Sequence, residues 1–161
     1  MMQLLRPDGA IFYNHKLWVQ KGLCQDRQDI IAGFPLRQVI IWHRSGGINF
    51  NPGDFLPKYE VIYLIAKKDF TLAPKANALG SVWHISHKTG NAHPAPFPRD
   101  HVRNCLTAVD QGPVFDPFIR SGTTAVVAKG RSLDWVGIDV SASYADMAAT
   151  HIAATWHGAA E

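Results

Sequence analysis

Residues 114–139, VFDPFIRSGTTAVVAKGRSLDWVGID, limit the fold of this chain more than any other stretch. PVFDPF (113–118) reads as a buried strand, RSGTT as a turn bearing Gly122, and AVVAKG (125–130) as a helix that stops at glycine. WVGIDV (135–140) reads as a second strand with an acid at its end. Strand, helix and strand joined by such short links imply a parallel α/β sheet.

The same segment suggests a ligand. Glycine in a turn lets a ligand approach the backbone, and the helix that follows offers free N–H groups at its start. Asp139, seventeen residues after Gly122, falls where a carboxylate accepts hydrogen bonds from both ribose hydroxyls of a nucleoside. No GxGxxG fingerprint is present and no Gly-Lys-Ser/Thr follows the turn, so neither a dinucleotide fold nor a P-loop is indicated. An acid at a strand end beside a turn with no phosphate cradle suits a nucleoside carrying little phosphate, such as S-adenosylmethionine.

The remaining sequence divides by pattern. Residues 1–70 read as strands with long connections: AIFYN (10–14) after a Pro-Asp-Gly turn, RQVIIWH (37–43) and YEVIYLIAKK (59–68). The loop between the last two, 44–57, is rich in Gly, Asn and Pro. Residues 71–98 are irregular and end in HPAPFP (93–98). Residues 99–161 hold the ligand turn, preceded by a helix over Arg99–Val109 and followed by one from Ser143 to about His157. Ser143 with Asp146 resembles a capping box.

DPFIRSGTT resembles the DPFxGSGTT cofactor motif of the amino-group DNA methyltransferases, which methylate adenine or the exocyclic amine of cytosine. HPAPFP with its following helix is similar to the segment before the cofactor strand in the permuted, β-type members, and RPDGAIFYNHK, IIWHR and YEVIYLIAKK resemble strands after the catalytic motif. The likeness covers nearly the whole chain. It implies a single Rossmann-like, S-adenosylmethionine-dependent methyltransferase domain fragment over 1–161, with a mixed sheet and adenine-directed methyl transfer. It also implies double-stranded DNA as partner and a cytoplasmic, bacterial or phage setting. Asp116, Phe118, Ser121, Gly122, Thr123 and Thr124 would surround the methionine and sugar of the cofactor. Asp139 would hold the ribose, and His93, Pro94, Ala95 and Phe97 would line its other side. Taken alone, Ser121 or Thr123 would serve equally as a helix cap, and Phe118 as core.

Two departures stand out. Arg120 occupies a motif glycine, where a positive φ or space for the ligand is expected, and this predicts weakened cofactor binding. The family's catalytic Asp/Asn/Ser-Pro-Pro-aromatic motif, which orients the target amine and stacks on a flipped base, is absent: no Pro-Pro occurs in the chain. The expectation is therefore a domain lacking its central catalytic strand, with no catalytic residue of its own and weak or no activity alone. A homodimer or a second chain would supply the missing strand. A non-catalytic DNA- or partner-binding remnant and a cofactor-binding sensor are the alternatives.

On the DNA side the candidates are Lys16, Arg44, Asn49 and Asn51, with Lys21 and Arg27 as further phosphate contacts. The net charge of +3 fits a polyanionic partner without requiring one. No metal site is expected: His84, His87, His93 and His101 show no paired short spacing. Cys24 and Cys105 fit two free thiols. Trp42, Trp83, Trp135 and Trp156 read as core, and Trp18 and Phe50 as packing residues on connections. No apolar run reaches the roughly 18 residues of a membrane span.

Overall fold

A computed structural model describes residues 2–26, 28–45, 53–86 and 98–155. The chain forms two units, Met1–His87 and Lys88–Glu161.

The first unit is built on a mixed four-stranded sheet. Its strands are β1 (Ala10–His15), β4 (Leu36–His43), β5 (Tyr59–Ala66) and β6 (Val82–His84), in the order β1-β5-β4-β6. β5 pairs antiparallel with both β1 and β4, and β6 pairs parallel with β4. The apolar run VIYLIA makes β5 an interior strand, buried at seven consecutive positions. Its Val61, Tyr63 and Ile65 pack with Ile31, Ile11 and Ile41 on one face, as the two-residue period of a strand requires. A register shift between Leu36 and Gln38 leaves Arg37 unpaired in the ladder, and its guanidinium reaches the carbonyl of Lys67 at 2.9 Å.

The three long strands follow the sequence expectation; the connections do not. Residues Trp18–Gln20 (β2) and Leu23–Gln25 (β3) form a hairpin where a plain connection is expected. The cause is the two-residue Lys21-Gly22 turn, with φ of 53° and 75°, the backbone of the turn type that matches strand twist. Trp18 therefore sits on a strand and is 41% exposed. A short helix, α1 (Gln28–Ile31), follows. The stretch expected to be irregular after residue 70 contains a 3-10 turn (Ala76–Leu79) and β6.

The second unit contains α2 (Arg99–Thr107), β7 (Val114–Asp116), α3 (Thr123–Gly130), β8 (Trp135–Gly137) and α4 (Ala142–Ala154). β7 and β8 are parallel, as expected, with Asp116 level with Gly137. α3 is buried at Thr123 and at Ala125 through Ala128. Val127 and Ala128 pack with Val102 and Leu106 of α2, while Ala125 and Val126 pack with Ala148 and Ile152 of α4. Small residues let both neighbours approach α3 closely. The start of α4 corrects the sequence reading. Ser141 is the residue that precedes the helix, not Ser143, and it makes no side-chain cap bond; its hydroxyl meets that of Ser143 at 2.8 Å. Both strands are also shorter than read, so Asp139 lies two residues beyond β8 rather than within it.

Candidate functional site

The site is the loop that leaves β7 and enters α3. Its shape is held by two carboxylates. Asp116, the last residue of β7, accepts the main-chain N–H of Phe118 at 3.0 Å and the hydroxyl of Thr124 at 2.6 Å. A negative charge is thereby placed against the first turn of α3, where the helix dipole favours it. Asp139 accepts the N–H of Arg120 at 3.1 Å on one oxygen and that of Ser141 at 2.9 Å on the other. Between these two anchors the strand ladder continues for one more residue: Ile138 donates to Asp116 and Ile119 donates to Ile138, each at 3.0 Å.

Two residues of the loop have left-handed backbone, Arg120 at φ 44° and Gly122 at φ 81°. The first is the conformation expected at a motif glycine, here adopted by arginine. The Arg120 guanidinium lies 5.9 Å from the ring centre of Tyr144 in α4, a cation–π distance. The side chain is thus exposed yet engaged with the next helix. Gly122 is needed for more than its φ. A Cβ there would lie 3.1 Å from both Cα and Cβ of Ala148, so the space above the glycine belongs to α4. Gly137 is crowded in the same way, its Cβ position lying within the Ile119 side chain.

A third element of the site has no signal in the sequence. His151, on α4, meets the carbonyl of Ser121 with Nδ1 at 2.7 Å and the guanidinium of Arg99 with Nε2 at 3.0 Å. A carbonyl only accepts and a guanidinium only donates, so the neutral imidazole with its proton on Nδ1 satisfies both. His151 and Arg99 are 52 residues apart, and only the packing of α2 and α4 on either side of α3 unites them.

At the open ends of the parallel pair stand two exposed apolar side chains, Phe118 at 75% and Val140, directly after Asp139. Ser121 and Thr124 are half-buried and Thr123 is buried, with the Ser121 and Thr123 hydroxyls 3.4 Å apart. Of the residues named from the sequence, Asp116, Phe118, Ser121, Gly122, Thr123 and Thr124 thus lie on this loop or at its ends, and Asp139 is bonded to it through the N–H of Arg120. His93, Pro94, Ala95 and Phe97 lie outside the described residues.

The DNA-side candidates fare unevenly. Lys16 is exposed between β1 and β2, and Lys21 is exposed at the hairpin turn. Arg44 instead forms an ion pair with Glu60 at 3.0 Å, its side chain 16% exposed. To contact a phosphate it would have to give up much of that pairing. Asn49, Asn51, Arg27 and Phe50 lie outside the described residues. Among those described, no group of three or more His, Cys, Asp or Glu could hold a metal, and no helix is long and apolar enough to cross a membrane.

Comparison with known proteins bears on the family and the fold. A family model described as DNA methylase matches residues 1–150. The type II methyltransferase M.SmaI of Serratia marcescens is 31% identical over 140 residues, covering 74% of this chain and 47% of that protein. The chain spans about half the length of the curated relatives it matches, 45% in the case of M.Cfr9I of Citrobacter freundii. Among solved structures, the complex of M1.HpyAVI with SAM superposes with a TM-score of 0.74 at 18% identity, over 94% of this chain and 78% of the other. The PvuII DNA methyltransferase, a cytosine-N4-specific enzyme, superposes at 0.77 and 18% identity, over 95% and 70%.

Proposed function

The chain belongs to the DNA methylase family, whose model spans residues 1–150, and on that footing we propose that its Asp116–Asp139 segment binds S-adenosylmethionine for methyl transfer to an exocyclic amino group in double-stranded DNA. The observation that carries the reading is the carboxylate of Asp139, fixed by the N–H groups of Arg120 and Ser141. A carboxylate offers about four lone-pair sites; two are occupied by the backbone, and two remain for the ribose hydroxyls. Phe118 and Val140 offer exposed apolar faces for the adenine ring. Ser121, Gly122, Thr123 and Thr124 border the methionine portion, and Asp116 maintains the turn around it. His93, Pro94, Ala95 and Phe97 line the opposite side. Lys16, Asn49 and Asn51 are the DNA contacts; Arg44 joins them only by exchanging Glu60 for phosphate.

The target is adenine on the overall resemblance. Cytosine N4 is the second reading, favoured by the fold likeness to the PvuII enzyme. These 161 residues contain no Pro-Pro-aromatic tripeptide to orient the amine or stack on the flipped base. Methyl transfer by the chain alone is therefore weak or nil: a second copy could fill the place of the missing strand, but the motif itself comes from a different polypeptide, and the chain works in the cytoplasm.

Titration of S-adenosylmethionine against the thermal midpoint tests the cofactor reading. Ligand at 100 times its dissociation constant adds about 2.7 kcal/mol to stability. Asp139→Asn, which keeps an acceptor oxygen but no charge, should diminish the shift. No shift at millimolar ligand would overturn the reading.

A further inference from the structure

Away from the cofactor turn, the mixed sheet aligns two copies of one dipeptide. Trp42-His43 ends β4 and Trp83-His84 ends β6, and the parallel register sets indole beside indole and imidazole beside imidazole. Strand alternation then sorts them: Trp42 and Trp83 are 1% and 5% exposed, whereas the two histidines come to the surface. The Nδ1 atoms of His43 and His84 are 3.2 Å apart, while the ring centres are 4.8 Å apart and the planes tilted by 53°. The nitrogens are thus the near edges of the two rings.

We propose that His43 and His84 chelate a divalent transition-metal ion of the zinc class through their Nδ1 atoms. Imidazole nitrogens bind zinc at about 2.0–2.1 Å, and two of them 3.2 Å apart subtend roughly 100–105° at the metal, close to the tetrahedral angle. Without an ion, one Nδ1 must donate its proton and the other accept it. An ion replaces that shared proton and engages both lone pairs. The ligands are held ready by the backbone on either side. Ile41 donates to the carbonyl of Ser81 at 2.8 Å, and Ile85 donates to that of His43 at 3.1 Å. The Trp42 indole N–H donates to Ile85 at 2.9 Å, and the hydroxyls of Ser45 and Ser86 meet at 2.6 Å. These bonds fix the backbone on which the two imidazoles stand, so the freedom lost on binding is confined to their side chains.

No third protein ligand stands by among the described residues, so water completes the coordination. Two imidazoles and water suit zinc, nickel or copper and reject magnesium and calcium, which require oxygen cages. Bound there, the ion clips β6, a three-residue edge strand, to the end of β4. The site is independent of the methyltransferase reading.

The test is titration of the full chain with zinc chloride, and separately magnesium chloride, against its thermal midpoint. Zinc should raise the midpoint and magnesium should not. His43→Gln and His84→Gln should each lower zinc affinity at least tenfold, while His87→Gln retains it. As surface changes, the substitutions at His43 and His84 should leave the metal-free midpoint nearly in place. Bound copper, followed by electron paramagnetic resonance, should show two imidazole nitrogens in the native chain and one in either variant of the pair. Absence of zinc binding at millimolar ion, native affinity in His43→Gln or His84→Gln, or loss of binding in His87→Gln would each overturn the proposal.

Discussion

The imidazole of His151 donates from Nδ1 to the main-chain carbonyl of Ser121 at 2.7 Å, tying the last turn of α4 to a peptide flanked by two left-handed residues. Arg120 and Gly122 leave that peptide few neighbours of its own kind, and α4 supplies the bond that fixes its direction. His151→Leu removes both the donor and the acceptor for Arg99. The loss of one such bond is worth about 0.5–1.5 kcal/mol. Cofactor affinity should fall roughly two- to twelvefold, and His151→Gln, which can donate and accept, should recover most of it. Calorimetric titration of S-adenosylmethionine checks this; an unaltered dissociation constant in the leucine variant would sink it.

Arg120→Gly should tighten cofactor binding. The left-handed φ of 44° costs an arginine about 1–2 kcal/mol, against which the contact with Tyr144 returns about 0.5–1 kcal/mol. Stability should therefore change by less than about 1.5 kcal/mol, while the space around the turn opens. A dissociation constant that does not move, measured beside a thermal melt, argues that the guanidinium never impeded the ligand.

Gly122→Ala should be more damaging than Gly22→Ala. Both glycines have positive φ, 81° and 75°, but only Gly122 has Ala148 against its Cβ position, and nothing lies within 4 Å of that at Gly22. The hairpin substitution should cost about 1–2 kcal/mol from backbone strain alone. At Gly122 a packing penalty of about 1–3 kcal/mol is added. Urea denaturation of the two variants gives the comparison, and equal losses would mean that α4 yields freely.

Acid should destabilise the second unit through His101. Burial lowers its pKa from 6.5 to about 3. The unfolded chain therefore binds a proton below pH 6.5 that the folded chain refuses. The stability this group allows is complete above pH 6.5 and is lost as pH falls toward 3. Between pH 8 and pH 5 the loss from this residue alone is about 2 kcal/mol. Stability measured across that interval should fall with such a slope, and His101→Gln should flatten it. A slope unchanged by the substitution would assign the acid sensitivity elsewhere.

What could be read from the sequence was whatever depends on neighbours in the chain. β5 announces itself by an unbroken apolar run, and the β7–α3–β8 unit by a strand, a glycine turn and an acid in short order. Both Asp116 and Asp139 are visible in that way. The roles of His151, Arg99 and Ala148 are not, because each acts across helix packing on a residue 26 or more positions away. The β2–β3 hairpin is hidden for a different reason. Strands of three residues are too short to show alternation, and Lys-Gly is a less familiar turn than Asn-Gly. The pairing of His43 with His84 hides in plain view: the repeated Trp-His is legible, but its alignment depends on the parallel register of β4 and β6.

The closeness of Gly122 to Ala148 also bears on whether the DPFIRSGTT turn is a portable module. Its curvature is moulded against a helix that begins nineteen residues after Thr123, so the nine residues do not carry their own shape. Grafted into another parallel β-α-β host, they would regain it only where the host presents an equally small side chain at the equivalent of Ala148. A bulkier residue there would push the loop outward, and a faithful copy of the motif would arrive without its pocket.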